Sequence, residues 1–120
     1  MSTIKSFQLK PFTAKELKPR GWMRRQLEIE AKGLVGHLDS VWPDVADSSW
    51  IGGAHEAWER VPYWLDGFIP LAYLLEDKHM IARAKKYIDA IIERQRPDGW
   101  LCPCDDKKRT NYDTWALILI

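Results

Sequence analysis

Side chains that could bind a ligand or transfer protons are concentrated between residues 55 and 66. Seven residues in this stretch are candidates for ligand contact: His55, Glu56, Trp58, Glu59, Tyr63, Trp64 and Asp66. The face of an aromatic ring stacks on the apolar C–H face of a sugar ring, and carboxylates beside it hydrogen-bond hydroxyl groups or transfer protons at the anomeric carbon. The combination therefore predicts a carbohydrate ligand.

Each candidate also has a structural alternative. Glu59 could pair with Arg60 or stabilise a helix N-terminus, where a carboxylate contributes roughly 0.3–1 kcal/mol. Asp66 could do the same, and Trp64 begins an apolar stripe at helical spacing, so it is a core candidate as well as a stacking platform. If Glu59 and Asp66 were an acid/base pair, their separation would be roughly 5–5.5 Å for retention or 6.5–9.5 Å for inversion. The sequence leaves that separation open.

The elements that must position these residues are predicted to be helices. Apolar residues recur every three or four positions over residues 22–42, which indicates one helix that Pro43 ends. Gly33 and Gly36 inside it each cost about 1 kcal/mol relative to Ala, which favours close packing against a neighbour. Residues 43–61 lack a sustained period and are predicted to be a long, functional loop.

The second half of the chain alternates two kinds of helix. Residues 63–75 are apolar nearly all round, so this helix must be enclosed, with Pro62 in its first turn and Pro70 removing one hydrogen bond. Asp77 is predicted to cap an amphipathic outer helix, and residues 97–99 (Pro-Asp-Gly) a turn after it. The apolar face of the outer helix is predicted to consist of Met80, Ile81, Ala84, Tyr87, Ile88, Ile91 and Ile92. The face pointing away is predicted to carry Arg83, Lys85, Lys86, Asp89, Glu93 and Arg94.

The pattern of aromatics followed by an apolar run begins again at residues 111–120, about 50 residues after its first occurrence, which suits one inner-plus-outer helical hairpin. We therefore predict an all-α fold: an incomplete (α/α)6 toroid over residues 21–120, preceded by an extended arm over residues 1–20. The chain stops inside an apolar run, which predicts a truncated fragment. Left uncovered, residues 115–120 would favour self-association into a homo-oligomer.

Five ordered segments resemble a known family. They cover residues 19–27, 33–38, 50–53, 56–67 and 95–100, and include Trp50-Ile51-Gly52-Gly53 and Gln95-Arg96-Pro97-Asp98-Gly99-Trp100. Together they resemble the N-terminal part of the β-L-arabinofuranosidase-like glycoside hydrolases. The resemblance implies an (α/α)6 catalytic domain and a retaining hydrolase acting on plant-derived sugars. It also implies a zinc-bound cysteine nucleophile and a glutamate acid/base, which in that family lie beyond the region matched here.

Composition excludes other classes of function. The chain has 120 residues and a net charge of +1, which predicts neither a nucleic-acid nor a membrane partner. No apolar leader segment follows residues 1–6, so a cytoplasmic protein is predicted. Cys102 and Cys104 are separated only by Pro103, a spacing that disfavours a mutual disulfide, and without further cysteines they are a weak metal motif. We predict no cofactor in this chain, although a full-length relative would hold zinc; a metal site on the two cysteines is the alternative.

Two functions from different classes follow from the sequence. The first is the N-terminal fragment of a glycoside hydrolase, which contributes part of a carbohydrate-binding cleft and is inactive alone. The second is a non-catalytic helical binding or self-assembly module derived from the same fold. Whether the chain is an enzyme stays open at this point, because no catalytic residue is assigned.

Overall fold

The computed structural model describes residues 9–13 and 15–120, and this part of the chain is helical. Its α-helices are α1 (Gly21–Lys32), α2 (Leu38–Val41), α3 (Pro43–Ala46), α4 (Arg60–Leu75) and α5 (Lys78–Glu93). Short 3₁₀ segments cover Ser49–Ile51, Asp106–Asn111 and Thr114–Ile118. The described residues form no β-sheet, although Ser48 and His55 make an isolated β-bridge. The predicted all-α class is therefore confirmed.

The antiparallel hairpin of α4 and α5 forms the core. Most apolar side chains of α4 are buried, as predicted: Val61, Pro62, Trp64, Leu65, Phe68, Leu71 and Ala72. The helix is not enclosed all round, because one stripe of it is exposed: Tyr63, Asp66, Gly67, Pro70 and Tyr73. It packs against Met80, Ala84, Tyr87 and Ile91 of α5. The Trp64 ring stacks on Phe68 with a centroid distance of 4.4 Å, and it meets Tyr87 edge-on at 4.8 Å. Aromatic contacts of this kind add about 0.5–1.5 kcal/mol beyond the buried area.

Local sequence signals predicted both ends of α5 correctly. The Asp77 carboxylate accepts hydrogen bonds from the backbone N–H groups of His79 and Met80, so it caps α5 as predicted. The turn at residues 97–99 also forms, with Gly99 at φ +87°, a backbone conformation that glycine adopts without strain. Two predictions for the faces of α5 were wrong. Ile92 is exposed, and Arg83 is half-buried rather than facing away.

The predicted helix over residues 22–42 is broken. α1 ends at Lys32, and the chain turns through Gly33 and Gly36 before α2 begins. A Cβ atom on Gly36 would lie 1.8 Å from the Ala31 carbonyl oxygen, so only glycine fits where the chain turns back against α1. The two glycines thus end a helix. They do not lie inside one.

The predicted loop over residues 43–61 contains short helical segments. Pro43 begins α3 and does not terminate a long helix, because the first position of a helix tolerates proline. Ser48 then caps the Ser49–Ile51 segment, and its hydroxyl also donates to the Glu56 carbonyl at 2.8 Å. α4 starts at Arg60, three residues before the predicted helix, and continues through Pro70.

The second inner helix predicted from residues 111–120 is not formed. Residues 106–111 and 114–118 are 3₁₀ segments, and Ala116 is the one buried residue of the latter. Short helices depend on packing for stability, and one buried alanine stabilises an α-helix very little. The described residues therefore contain one long helical hairpin followed by an irregular segment that lies on it.

The described part of the molecule is flat, with principal extents of 52 × 50 × 20 Å. Its radius of gyration is 17.1 Å, whereas a compact chain of this length would have a radius of about 14 Å. In residues 9–13 and 15–20, the part of the predicted arm that the structure describes, there is no helix or strand. The rest of that arm lies outside the described residues. No helix among the residues described is long and apolar enough to cross a membrane.

Candidate functional site

An open cleft of about 470 Å³ lies along the N-terminal half of α4, and we call it the α4 cleft. It is lined by Val35, Leu38, Trp42, Glu59, Arg60, Tyr63, Trp64 and Gly67. Three of the seven predicted ligand contacts are therefore brought together: Glu59, Tyr63 and Trp64. Its volume falls within the roughly 300–1,000 Å³ that small-molecule sites occupy.

Helical spacing on α4 builds one wall of the cleft. Arg60, Tyr63 and Gly67 follow one another at three- and four-residue steps, so they align along one side of the helix. Gly67 keeps this wall open, since a Cβ atom placed there would meet nothing within 4 Å. The opposite wall comes from the segment around Val35, whose carbonyl accepts a hydrogen bond from the Trp64 indole N–H at 2.8 Å.

Glu59 and Arg60 supply the charged groups of the cleft. The Glu59 side chain is 18% exposed and pairs with Arg60 at 3.2 Å between Oε1 and Nη1. The Arg60 guanidinium lies 5.6 Å from the centre of the Trp42 ring, a cation–π contact. A carboxylate and a guanidinium side by side offer acceptors and donors to neighbouring hydroxyl groups. With the aromatic walls, this arrangement can hold a polyhydroxylated ring.

The two α4 aromatics have different exposure. Tyr63 is 48% exposed, and its hydroxyl accepts a hydrogen bond from the Trp115 indole N–H at 2.9 Å. Trp64 is only 5% exposed because it packs against Phe68 and Tyr87. Its core alternative is thus the correct one, and Tyr63 is the ring with a free face.

Glu56 organises the N-terminus of α4. Its Oε1 accepts from the backbone N–H groups of Trp58 at 3.0 Å and Glu59 at 2.8 Å, and its Oε2 accepts from that of Arg60 at 3.2 Å. The capping role that the sequence suggested for Glu59 therefore belongs to Glu56, while the Glu59 side chain makes no capping bond. Glu56 does not line the α4 cleft.

The remaining candidates lie outside the cleft. His55 is exposed beside Asp44 and Asp47, with nitrogen–oxygen distances of 3.7 and 3.9 Å. Trp58 is exposed and accepts a hydrogen bond at its backbone carbonyl from the Trp50 indole N–H, 2.9 Å away. Asp66 is exposed in the second turn of α4. It was predicted to stabilise the helix N-terminus from the first turn, but α4 begins earlier than predicted.

The structure therefore does not bring Glu59 and Asp66 into one site as an acid/base pair. Glu59 lines the α4 cleft, and Asp66 is absent from its walls. The cleft offers one carboxylate, whereas hydrolysis through paired carboxylates requires two on either side of the scissile bond. What the arrangement offers chemically is one carboxylate, one guanidinium and an exposed aromatic ring for contact with a ligand.

Several cleft residues were missed from the sequence. Arg60 and Gly67 could have been found, because they share a helical stripe with Tyr63. Trp42, Val35 and Leu38 could not, since their contribution depends on the break after α1 that turns them toward α4.

The cysteines do not fit the zinc that the resemblance implies. Cys102 is buried, and burial raises the pKa of its thiol, which disfavours the thiolate that binds metal. Cys104 lies beside it, but the described residues contain no group of three or more His, Cys, Asp or Glu side chains that could hold a metal ion.

Comparison with known proteins adds no assignment to this geometry. No family model matches the chain, and neither a curated protein nor a solved structure is significantly similar to it.

Proposed function

We propose that this chain binds carbohydrate in the α4 cleft and supplies one wall of a sugar site. The observation that carries the proposal is the meeting of Glu59, Arg60 and Tyr63 around an open cleft of about 470 Å³. The sequence resemblance to the N-terminal part of the β-L-arabinofuranosidase-like glycoside hydrolases supports the same ligand class. In this proposal the chain contributes part of an (α/α)6 toroid and acts in the cytoplasm.

The expected binding mode follows from the chemistry of the walls. The exposed face of Tyr63 stacks on the C–H face of the sugar ring. The Glu59 carboxylate accepts hydrogen bonds from ring hydroxyls, and the Arg60 guanidinium donates to hydroxyl oxygens. Because these two charges already balance one another, the cleft favours a neutral sugar over a charged one.

The proposal makes this chain a binding element without turnover of its own. One carboxylate lines the cleft, and among the residues that the structure describes the cysteine pair has no further ligands of the kind expected in the hydrolases that the sequence resembles. Inactivity is therefore expected for the isolated chain. The α4–α5 hairpin consists of a largely buried helix followed by an amphipathic one. Toroids of the proposed kind are built from such hairpins.

Replacing Glu59 tests the binding mode. Glu59→Gln keeps the shape but removes the charged acceptor, so we expect the affinity for methyl β-L-arabinofuranoside to fall about tenfold, since a hydrogen bond to a charged group contributes roughly 1.5–3 kcal/mol. The measurement is a titration followed by amide chemical shifts. Glu93→Gln, on the exposed face of α5, is the matched control and should bind like the parent chain.

Three outcomes would count against the proposal. Absence of saturable binding to methyl arabinosides, xylosides and galactosides would refute carbohydrate recognition. Equal affinities for the parent chain and Glu59→Gln would remove Glu59 from the site. Hydrolysis of an aryl β-L-arabinofuranoside that Glu59→Gln abolishes would show that the chain is an enzyme.

A self-assembly module is the second candidate, and a separate surface favours it. Leu117, Ile118 and Ile120 are exposed, next to a small apolar cleft between α4 and α5. If this surface forms a homodimer, sedimentation will show a stable dimer at micromolar concentration, and Ile118→Asp will make it monomeric. A chain that stays monomeric at all concentrations would exclude this candidate.

A further inference from the structure

Trp115 lies at the edge of the α4 cleft although it does not line it. Its indole N–H donates to the Tyr63 hydroxyl at 2.9 Å, and Tyr63 is a wall of the cleft. The backbone N–H of Trp115 donates to the Asp113 carboxylate at 2.9 Å, and the next residue, Ala116, is fully buried. Hydrogen bonds therefore hold both the backbone and the indole of Trp115 next to the proposed sugar site.

The exposed part of this indole is suited to stacking. Trp115 is 51% exposed, and its one polar atom is already bonded to Tyr63, so the remaining surface of the ring is apolar. A ring held in position before binding loses little side-chain freedom when a ligand arrives. Tryptophan also offers the largest aromatic face of any side chain. These properties match a platform for the C–H face of a sugar.

Polar groups for sugar hydroxyls lie beside the indole. The Tyr63 hydroxyl accepts from Trp115 and can still donate its own proton. Asp66 follows Tyr63 by three residues on the exposed side of α4, where residues at this spacing are neighbours. The Asp66 side chain is exposed, so its carboxylate can accept hydrogen bonds from a ligand.

We propose that Trp115, Tyr63 and Asp66 form a second sugar subsite adjoining the α4 cleft, so the preferred ligand is an oligosaccharide and not a single sugar. This inference rests on the carbohydrate binding proposed above. Tyr63 is shared by both subsites: its ring faces the first, and its hydroxyl joins the second. One sugar occupies the α4 cleft, and the next sugar along the same chain stacks on Trp115.

The test compares a monosaccharide with a trisaccharide. The probes are methyl arabinofuranoside and a linear arabinotriose, titrated into the full chain and into Trp115→Ala. We expect arabinotriose to bind the parent chain about tenfold more tightly than the monosaccharide, given the energy of one added aromatic contact with its buried area. Trp115→Ala should lose this advantage, so that the two probes bind this variant with affinities within a factor of about two of one another, even where loss of the bond to Tyr63 weakens the binding of both.

Two further measurements keep the test decisive. Trp22→Ala, at another exposed tryptophan on α1, is the matched control and should keep the trisaccharide advantage. If Trp115→Ala does not fold, Trp115→Phe assigns the Trp115 indole N–H signal in the spectrum of the parent chain. That signal should shift further with arabinotriose than with the monosaccharide, which reaches the indole only through Tyr63.

The outcomes separate the two proposals. If both probes bind equally and Trp115→Ala has no effect, or if the indole signal does not respond to arabinotriose, the second subsite is refuted and carbohydrate binding in the cleft stands. If neither probe binds, the carbohydrate proposal itself fails, and the subsite fails with it.

Discussion

Glu56 and Glu59 are three residues apart and have different roles. Both carboxylate oxygens of Glu56 accept hydrogen bonds, from three backbone N–H groups at the start of α4, so this carboxylate is occupied by the fold. Glu59 leaves these groups alone and faces the α4 cleft beside Arg60. At the scale of single residues, one carboxylate therefore stabilises the fold, and the other is available for ligand binding.

This difference predicts opposite effects of two substitutions. Glu56→Ala removes the carboxylate that caps α4 and should lower the free energy of unfolding by about 1–2 kcal/mol, as loss of a capping side chain does. Glu59→Ala, whose side chain makes an ion pair that is partly exposed, should cost less than about 1 kcal/mol. Urea unfolding measures both. A larger loss for Glu59→Ala would reverse the two assignments.

At the scale of the element, α4 has one buried face and one face that serves the site. Its apolar residues enclose it against α5, while Arg60, Tyr63 and Gly67 line the cleft. A glycine in the middle of a helix costs roughly 0.5–1 kcal/mol relative to Ala. Gly67 thus weakens α4 slightly, and in return it leaves the wall of the cleft open.

Gly67 provides a prediction that separates stability from binding. Gly67→Ala should raise the free energy of unfolding by about 0.5–1 kcal/mol, because it improves helix propensity and the added Cβ meets no neighbour. Gly67→Met should bring a similar gain in helix propensity, but its side chain should fill the cleft and weaken sugar binding. Thermal unfolding and sugar titration measure the two effects.

Gly52→Ala is the control for the effect of replacing a glycine by alanine. Gly52 has φ +89°, and a Cβ atom there would lie 2.1 Å from the Arg94 guanidinium. Gly52→Ala should therefore destabilise the chain. If Gly67→Ala is destabilising too, the wall at Gly67 is more crowded than the structure shows.

At the scale of the whole molecule, Arg83 connects the cleft wall to the helical hairpin. Its guanidinium forms an ion pair with Asp39, donates to the Gly36 carbonyl at 2.8 Å and lies 5.1 Å from the centre of the Phe68 ring. The segment after α1, which carries Val35, is thereby held against α4 and α5. The geometry of the cleft depends on this contact, although Arg83 does not line it.

Loss of Arg83 should therefore act at a distance. Arg83→Met keeps much of the aliphatic side chain but leaves the half-buried Asp39 without its partner, so we expect a loss of about 1–3 kcal/mol in stability. Amide hydrogen exchange should accelerate in residues 33–42, and sugar affinity should fall. Arg94→Met, at an exposed position on the end of α5, is the control. Unchanged exchange in residues 33–42 would show that Arg83 does not hold the wall.

Features determined by neighbours in sequence could be predicted. The Asp77 cap, the buried stripe of α5 from Met80 to Ile91 and the turn at Gly99 each depend on residues within a few positions. The burial of most apolar side chains of α4 could also be predicted, since an apolar helix must be covered, although the exposed stripe from Tyr63 to Tyr73 could not. The candidate residues Glu59 and Tyr63 could be named from the sequence, because their residue types and their position at the start of α4 can be read from neighbouring residues.

Long-range packing decided the rest, and no local pattern contains it. The helical period continues past Gly33, yet the chain folds back at Gly36 against Ala31, and Arg83, 47 residues later, binds the Gly36 carbonyl. Likewise, residues 111–120 repeat the pattern of α4 but form 3₁₀ segments, since they lie on the hairpin with little buried area of their own. The sequence by itself thus determined that the α4–α5 hairpin forms and which residue types could bind a sugar. Only the tertiary structure decided that Glu59 faces a cleft and that Trp115 contacts Tyr63 at its edge, because packing and hydrogen bonds between distant segments select among the roles that each side chain could play alone.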